Sequence, residues 1–379
     1  MSTPSSNPPN RPNIAVDLRA LVPTATGIGV YTRSLLLELA ARGANRYLGL
    51  AHRPPREEAE LAAAGIAIEH QPAPLGVIWQ QLRLPQRLAQ GDIDLLWSPL
   101  ITLPLRCTVP AVATVHDLTT VLMPETHRLK VKWSILPFLR ASLDRAERLV
   151  TISHATARDI AFHFPHCAAK LRVVYPGIDP EFRPGTWGEI DDIRQEIGAP
   201  EGYILYAGTL EPRKNVGAVL DAWEALHEEN PQTPPLVLVG PYGWQSEHLV
   251  KRIETLKPLG LQAHGHVDRV HLVRLFQGAS LFVYPSFYEG FGLPPAEALA
   301  CGIPTIVSNV SSLPEVIGKA GVQVDPGDAG ELAMAIRDLL ASPGRQEELK
   351  ARGIEQAAQF RWDTAAEQME EVFREALGG

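Results

Sequence analysis

Cysteine is scarce. The three in this 379-residue chain, Cys107, Cys167 and Cys301, lie far apart, which excludes a disulfide framework and a thiolate metal cage. They fit a reducing compartment, where thiols serve as small core residues. Long apolar runs are also missing: none reaches the roughly 18 residues of a membrane-spanning helix. Met1 to Pro12 is rich in Ser, Pro and Asn without an apolar core, so it reads as a disordered tail and not as a signal peptide. The expectation is a cytoplasmic protein that at most rests on the inner face of a membrane, with no nucleic-acid partner.

What is present is ordinary for a globular protein: 45% hydrophobic and 21% charged residues. The length is too great for one core and predicts two domains. Net charge is −8, unevenly spread, with 20 Lys+Arg against 15 Asp+Glu through Gly185 and 15 against 28 beyond it. That asymmetry fits a first half that meets an anionic surface, and it equally fits two unremarkable surfaces.

The chain is organised around Tyr284–Gly302. Leu281 to Tyr284 reads as a buried parallel strand. Gly290 and Gly292 allow close backbone approach in the turn that follows. Pro294 and Pro295 suit the first turn of a helix, and Gly302 suits its end. Amides at such a helix start form an anion site. Glu289 and Glu297 bracket the turn with seven residues between them. Taken alone, this could be an ordinary strand–turn–helix with Glu297 complementing the helix dipole.

Glu289-x7-Glu297, the Ala300–Pro304 run and the Ser308–Glu315 run resemble the donor-sugar region of glycosyltransferase family 4. The resemblance implies an α/β fold of two Rossmann-like domains facing a cleft (GT-B), with the C-terminal helix crossing back to the first domain. It implies retaining transfer of a sugar from a nucleotide diphosphate sugar to an acceptor hydroxyl. Gly208–Asn215 and Tyr284–Glu315 look most like bacterial mannosyltransferases of polysaccharide assembly, which points first to GDP-mannose. No other cofactor and no metal is expected. The acceptor would be a carbohydrate or a lipid-linked molecule. Two rivals stay open: a GT-B-fold epimerase or phosphorylase, and a non-catalytic nucleotide-sugar-binding subunit.

In chain order, the strand Asn13–Arg19 precedes a loop over Pro23–Val30 and a helix over Tyr31–Ala41. Gly29 is the residue that the resemblance sets against the donor diphosphate; a tight strand-to-helix turn is the alternative. Six further strands follow, at Tyr47–Ala51, Ile66–His70, Leu95–Ser98, Ala111–His116, Arg148–Ile152 and Leu171–Val174. Asp92-Ile93-Asp94 spells a DxD string but precedes a strand, so both acids read as loop and strand-start residues. His116 ends a strand, where open sheets bind ligands; the resemblance sets it beside the transferred sugar, and a satisfied structural histidine is the alternative. Ser153 reads as a helix cap. Thr126 to Val150 mixes Arg128, Lys130, Lys132, Arg140, Arg145 and Arg148 with Trp133 and Phe138. It is either a helix that lies on an anionic bilayer or a surface helix with snorkelling cations.

The first domain is expected over 13–183 with a crossing helix over 363–379, a linker over Pro180–Ala199, and the second domain over 200–362. Arg213 and Lys214 follow the strand Tyr203–Ala207 and make a diphosphate clamp. Thr209 stands where some relatives carry a further Arg. Strands follow at Leu236–Val239 and Gln262–Val267; after the Glu289–Glu297 unit come the runs Thr305–Ser308 and Val322–Pro326 and an amphipathic helix over Ala329–Leu340. By resemblance, Val267 and Asp268 line the nucleobase, while Glu289 and Gly290, Phe291, Gly292 and Leu293 hold the sugar and the leaving phosphate. Glu297 takes the ribose. His264, His266 and His271 lack the Cys or carboxylate partners that would complete a metal site.

Overall fold

Short apolar strands with helices between them assemble into two parallel sheets in a computed structural model. It describes residues 11–21, 27–126 and 129–378, apart from the side chains of residues 129–132 and 134. The first sheet holds β1 (Asn13–Asp17), β2 (Arg46–Ala51), β3 (Ala67–His70), β4 (Leu95–Ser98), β5 (Ala111–Val115), β6 (Arg148–Thr151) and β7 (Leu171–Val173). Their order is β3-β2-β1-β4-β5-β6-β7, with Ile14 opposite Leu95. The second holds β8 (Ile204–Ala207), β9 (Leu236–Val239), β10 (Gln262–Gly265), β11 (Leu281–Tyr284), β12 (Thr305–Ser308) and β13 (Val322–Val324). Their order is β10-β9-β8-β11-β12-β13. Strands covered by helices on both faces carry continuous apolar runs; β5, β9 and β11 are buried throughout.

The C-terminal helix Trp362–Ala376 crosses back to the first sheet. Phe373 packs on Trp97 of β4, and Glu375 pairs with Arg148 of β6 at 2.6 Å and Arg172 of β7 at 2.8 Å. Gly177 passes so close to Trp362 that a Cβ there would lie 2.3 Å from its backbone nitrogen.

Three local readings change. Residues 23–26 of the expected glycine loop lie outside the described residues, and the following helix spans Gly27–Arg42. Gly29 is therefore in a helix's first turn, not in a loop; packing of Tyr31, Leu35 and Leu39 overrides the poor helix propensity of glycine. Within the expected linker, Trp187–Ile197 forms a helix, started by a Thr186/Glu189 capping box and anchored by buried Ile193 and Ile197. In the basic stretch, the helix is Leu129–Arg145. Two of its expected surface cations serve the interior. Arg145 donates to the carbonyls of Cys107 and Val109, and Arg148 belongs to β6 and pairs with Glu375. Arg128 lies outside the described residues. Trp133 stands 75% exposed, with Leu136 also exposed.

Both acids of the DxD string are structural. Asp92 pairs with buried Arg87 at 2.6 Å, and Asp94 accepts from the Asn13 amide at 2.7 Å.

Candidate active site

The chain turns to opposite sides of the second sheet after β8 and β11, which lie side by side. Such a switch point opens a crevice at the C-terminal strand ends. Two loops line it, and they are stitched together. Asn215 donates from its side-chain amide to the carbonyls of Pro285 and Pro326 at 3.0 and 2.7 Å. The Phe287 amide and the Ser286 hydroxyl both donate to the Arg213 carbonyl, at 3.0 and 3.2 Å. Asn215 adopts a left-handed backbone, φ 55°, which Asn tolerates better than most residues.

This stitching brings Lys214 onto Glu289. The ammonium donates to both carboxylate oxygens, at 2.6 and 2.7 Å, and to the Tyr284 hydroxyl at 2.9 Å. Arg213 stands 3.6 Å from the same carboxylate, donates to the Tyr288 carbonyl and pairs with Glu211 at 2.8 Å. Glu289 is only 7% exposed. Burial opposes its charge, but Lys214 and Arg213 outweigh that and hold it below the usual glutamate value. Burial lowers Lys214 from the usual lysine value while Glu289 pulls it back up. Ser311 and Ser312 donate to the Glu289 carbonyl at 2.5 and 3.0 Å, fixing the backbone.

The first domain supplies the opposite wall. Gly290 faces the His116 carbonyl so closely that a Cβ would sit 2.0 Å from it. His116 Nε2 lies 2.9 Å from the Pro99 carbonyl. A carbonyl only accepts, so Nε2 carries the proton and is spent on this bond. Burial lowers His116 from the usual histidine value, with the Pro99 bond opposing. Its ring packs edge-on against Tyr31 at 4.9 Å, two residues from Gly29.

The helix Leu293–Ala300 begins with Pro294 and Pro295. Prolines have no N–H, so this start offers an anion fewer donors than its position suggests. Gly292 has φ 110°, and a Cβ there would meet Leu313 at 2.7 Å. The Phe291 ring is buried against Tyr175 and Phe360, leaving only backbone to face a ligand. Val267 packs on the core. The Asp268 carboxylate caps the helix Arg269–Gly278 by accepting from the His271 amide at 2.9 Å. His264 and His271 have ring centres 6.1 Å apart.

Glu297 stands in the helix Leu293–Ala300. Burial pushes it up to about 7; Arg269 opposes that shift and Asp179 adds to it. Arg269 itself pairs with Asp179 and Glu181, and Asp179 accepts from the Trp362 indole at 2.7 Å. Tyr284, Ser311 and Glu211 are site residues that the sequence reading did not single out. Tyr284 could have been found as the one polar tip ending an apolar strand.

A family model described as "Glycosyl transferases group 1" matches residues 189–359, and one described as "Glycosyltransferase Family 4" matches residues 25–182. The chain is 36% identical over 260 residues to O-antigen chain mannosyltransferase B of Escherichia coli, covering 68% of both chains. It is 31% identical over 244 residues to the serotype-specific mannosyltransferase WbdA of the same organism, covering 62% of this chain but only 30% of that one. Among solved structures, Anabaena HepE in complex with UDP and glucose superposes with TM-score 0.74 at 20% identity, over 96% of this chain and 99% of that one. That last likeness is one of fold.

The raised Glu297 value sets a pH test. An acid whose folded value lies above its unfolded 4.5 costs no stability where both states are protonated. The cost builds as pH rises from 4.5 to about 7. Glu297→Gln should therefore melt with wild type at pH 4 and above it at pH 8; a gap that shrinks with rising pH would contradict the burial.

Proposed function

We propose a specific reaction for this chain, which belongs to glycosyltransferase family 4: transfer of mannose from GDP-mannose to an acceptor hydroxyl, with retention, in the assembly of a polysaccharide or glycolipid. The observation that carries the reading is the Lys214–Glu289–Arg213 cluster at the switch point of the second sheet. The choice of mannose is supported by the 36% identity to a mannosyltransferase.

The hard step is departure of a nucleoside diphosphate from an anomeric carbon that becomes cationic. Charge-stabilising donors aimed at the leaving group contribute most to such a step. Arg213 and Lys214 would take the diphosphate, helped by backbone around Gly292 and Leu293. Glu289, released from Lys214, would hold sugar hydroxyls. Glu297 would accept the ribose hydroxyls, whose donation favours its charged form. A retaining hydrolase uses two carboxyl groups about 5 Å apart around one carbon. Here Glu289 is engaged with Lys214 while Glu297 sits beside Arg269 and Asp179. A front-face path, in which the departing phosphate takes the acceptor proton, fits that separation of roles. His116, neutral and with Nε2 engaged, would line the sugar pocket and not act as its base.

The acceptor would enter from the first domain. A cavity of about 610 Å³ opens at that sheet's own switch point, between the ends of β1 and β4. Arg19, His52 and Arg53 edge it, and Leu75, Ile101 and Trp133 are among its apolar walls. Arg19 is already paired with Asp17. An amphipathic, lipid-linked anion presented at a membrane surface suits this mixture.

Arg213→Ala and Lys214→Ala should each cost at least ~2 kcal/mol of transition-state stabilisation, the scale of a lost charge-stabilising donor, read as kcat/KM with GDP-mannose. Wild-type turnover in both variants would refute the clamp.

At the membrane, each Lys or Arg near an anionic surface contributes about 1 kcal/mol, weakened by salt. The protein should co-sediment with anionic liposomes at low salt, less so at high salt, and poorly with neutral ones. Binding that ignores lipid charge, or none at either salt level, would favour a soluble acceptor.

A further inference from the structure

The helix His154–His163 of the first domain is capped from two domains at once. Its own Ser153 accepts from the Thr156 amide at 3.0 Å. The next orphan donor, the His154 amide, is taken by Glu315 of the second domain at 2.9 Å, across 161 residues of sequence. A carboxylate is favoured at a helix N-terminus because the unsatisfied amides there carry partial positive charge. Glu315 sits in the short helix Leu313–Ile317, directly after Ser311 and Ser312, whose hydroxyls hold the Glu289 carbonyl.

A second contact ties the same first-domain helix to the loop that carries Glu289. Asp159, further along the 154–163 helix, accepts from the Tyr288 hydroxyl, and Tyr288 immediately precedes Glu289. Thr156 adds weak bonds to the carbonyls of His116 and Gly290, at 3.3 and 3.4 Å. One first-domain helix thus registers the donor loop from both sides of Glu289. Burial raises Glu315 above the usual glutamate value, and the Ala155 and His154 amides oppose this.

We propose that Glu315 is a positioning residue for glycosyl transfer: it latches the first domain onto the donor loop and so sets Glu289 and the Gly290–Gly292 turn for reaction. The proposal rests on that loop being the site of transfer. Glu315 touches no substrate in this scheme; it acts through Ser311, Ser312 and the closed cleft.

The test compares wild type, Glu315→Ala and Glu315→Gln in two arms. Hydrogen exchange without any ligand is read over residues 153–160 and 286–292. Glu315→Ala should raise exchange in both segments together, while Glu315→Gln, which keeps an accepting oxygen, should stay near wild type. Kinetics with GDP-mannose should then show kcat for Glu315→Ala down by about tenfold, as misplacement of a reacting group costs, with donor KM within about twofold. Glu315→Gln should recover most of the loss. Unchanged exchange in the 286–292 segment, or a melting-temperature loss with kcat intact, would overturn the latch. If Glu315→Ala does not fold, the Gln variant and Asp159→Ala, which removes the second contact, carry the same comparison. Should wild type fail to turn over GDP-mannose, the donor reading fails, and the exchange arm still decides whether Glu315 latches.

Discussion

Glu289 is a carboxylate almost out of reach of water, and the site is built around satisfying it. Burying an ion is expensive unless a partner and hydrogen bonds are supplied. Lys214 supplies both, 75 residues away in sequence, and Arg213 adds a second cation. Replacing such a pair with apolar groups is often neutral, whereas removing one partner costs about 3–5 kcal/mol. The pair is therefore poor evidence of stability for its own sake. Under the proposed reaction it is a resting arrangement, in which the two cations and the carboxylate satisfy one another until the diphosphate and sugar hydroxyls of a donor replace them. The Asn215 bonds and the two serines exist to hold that geometry.

The same economy explains the glycines that the loop contains. Gly290 is required because the His116 carbonyl of the other domain occupies the space of a side chain. Gly292 is required because its backbone is left-handed and because Leu313 lies behind it. Neither position is about flexibility. Both let two layers of structure meet at backbone distance, and the His154–Glu315 and Asp159–Tyr288 contacts hold those layers in register.

The sheets were legible because every strand is a short apolar run and nearly every connection is helical. The eleven expected strands all appear in the two sheets, and the apolar runs at Thr305–Ser308 and Val322–Val324 complete the second. Arg213 and Lys214 were legible from position, as adjacent cations after a strand. Partners distant in sequence were not. Nothing local announces that Lys214 meets Glu289, or that Glu315 caps a helix in the other domain. Capping by Asp268 was not legible either: its carboxylate accepts from the His271 amide at the start of the helix Arg269–Gly278. Gly27 and Gly29 looked like loop residues on propensity alone, and packing made them helical. The prolines at 294 and 295 were read correctly as helix-start residues, yet their missing amides weaken the anion site they introduce.

The central claim is that the donor's diphosphate takes Lys214 and Arg213 away from Glu289. Calorimetric titration of wild type and Glu289→Gln with GDP and UDP tests it most directly. With no carboxylate to displace and no negative charge beside the diphosphate, Glu289→Gln should bind its preferred nucleotide more tightly than wild type. Equal or weaker binding by the variant, with the fold intact, would mean that the pair is not exchanged for the donor, and the account of the site would fail.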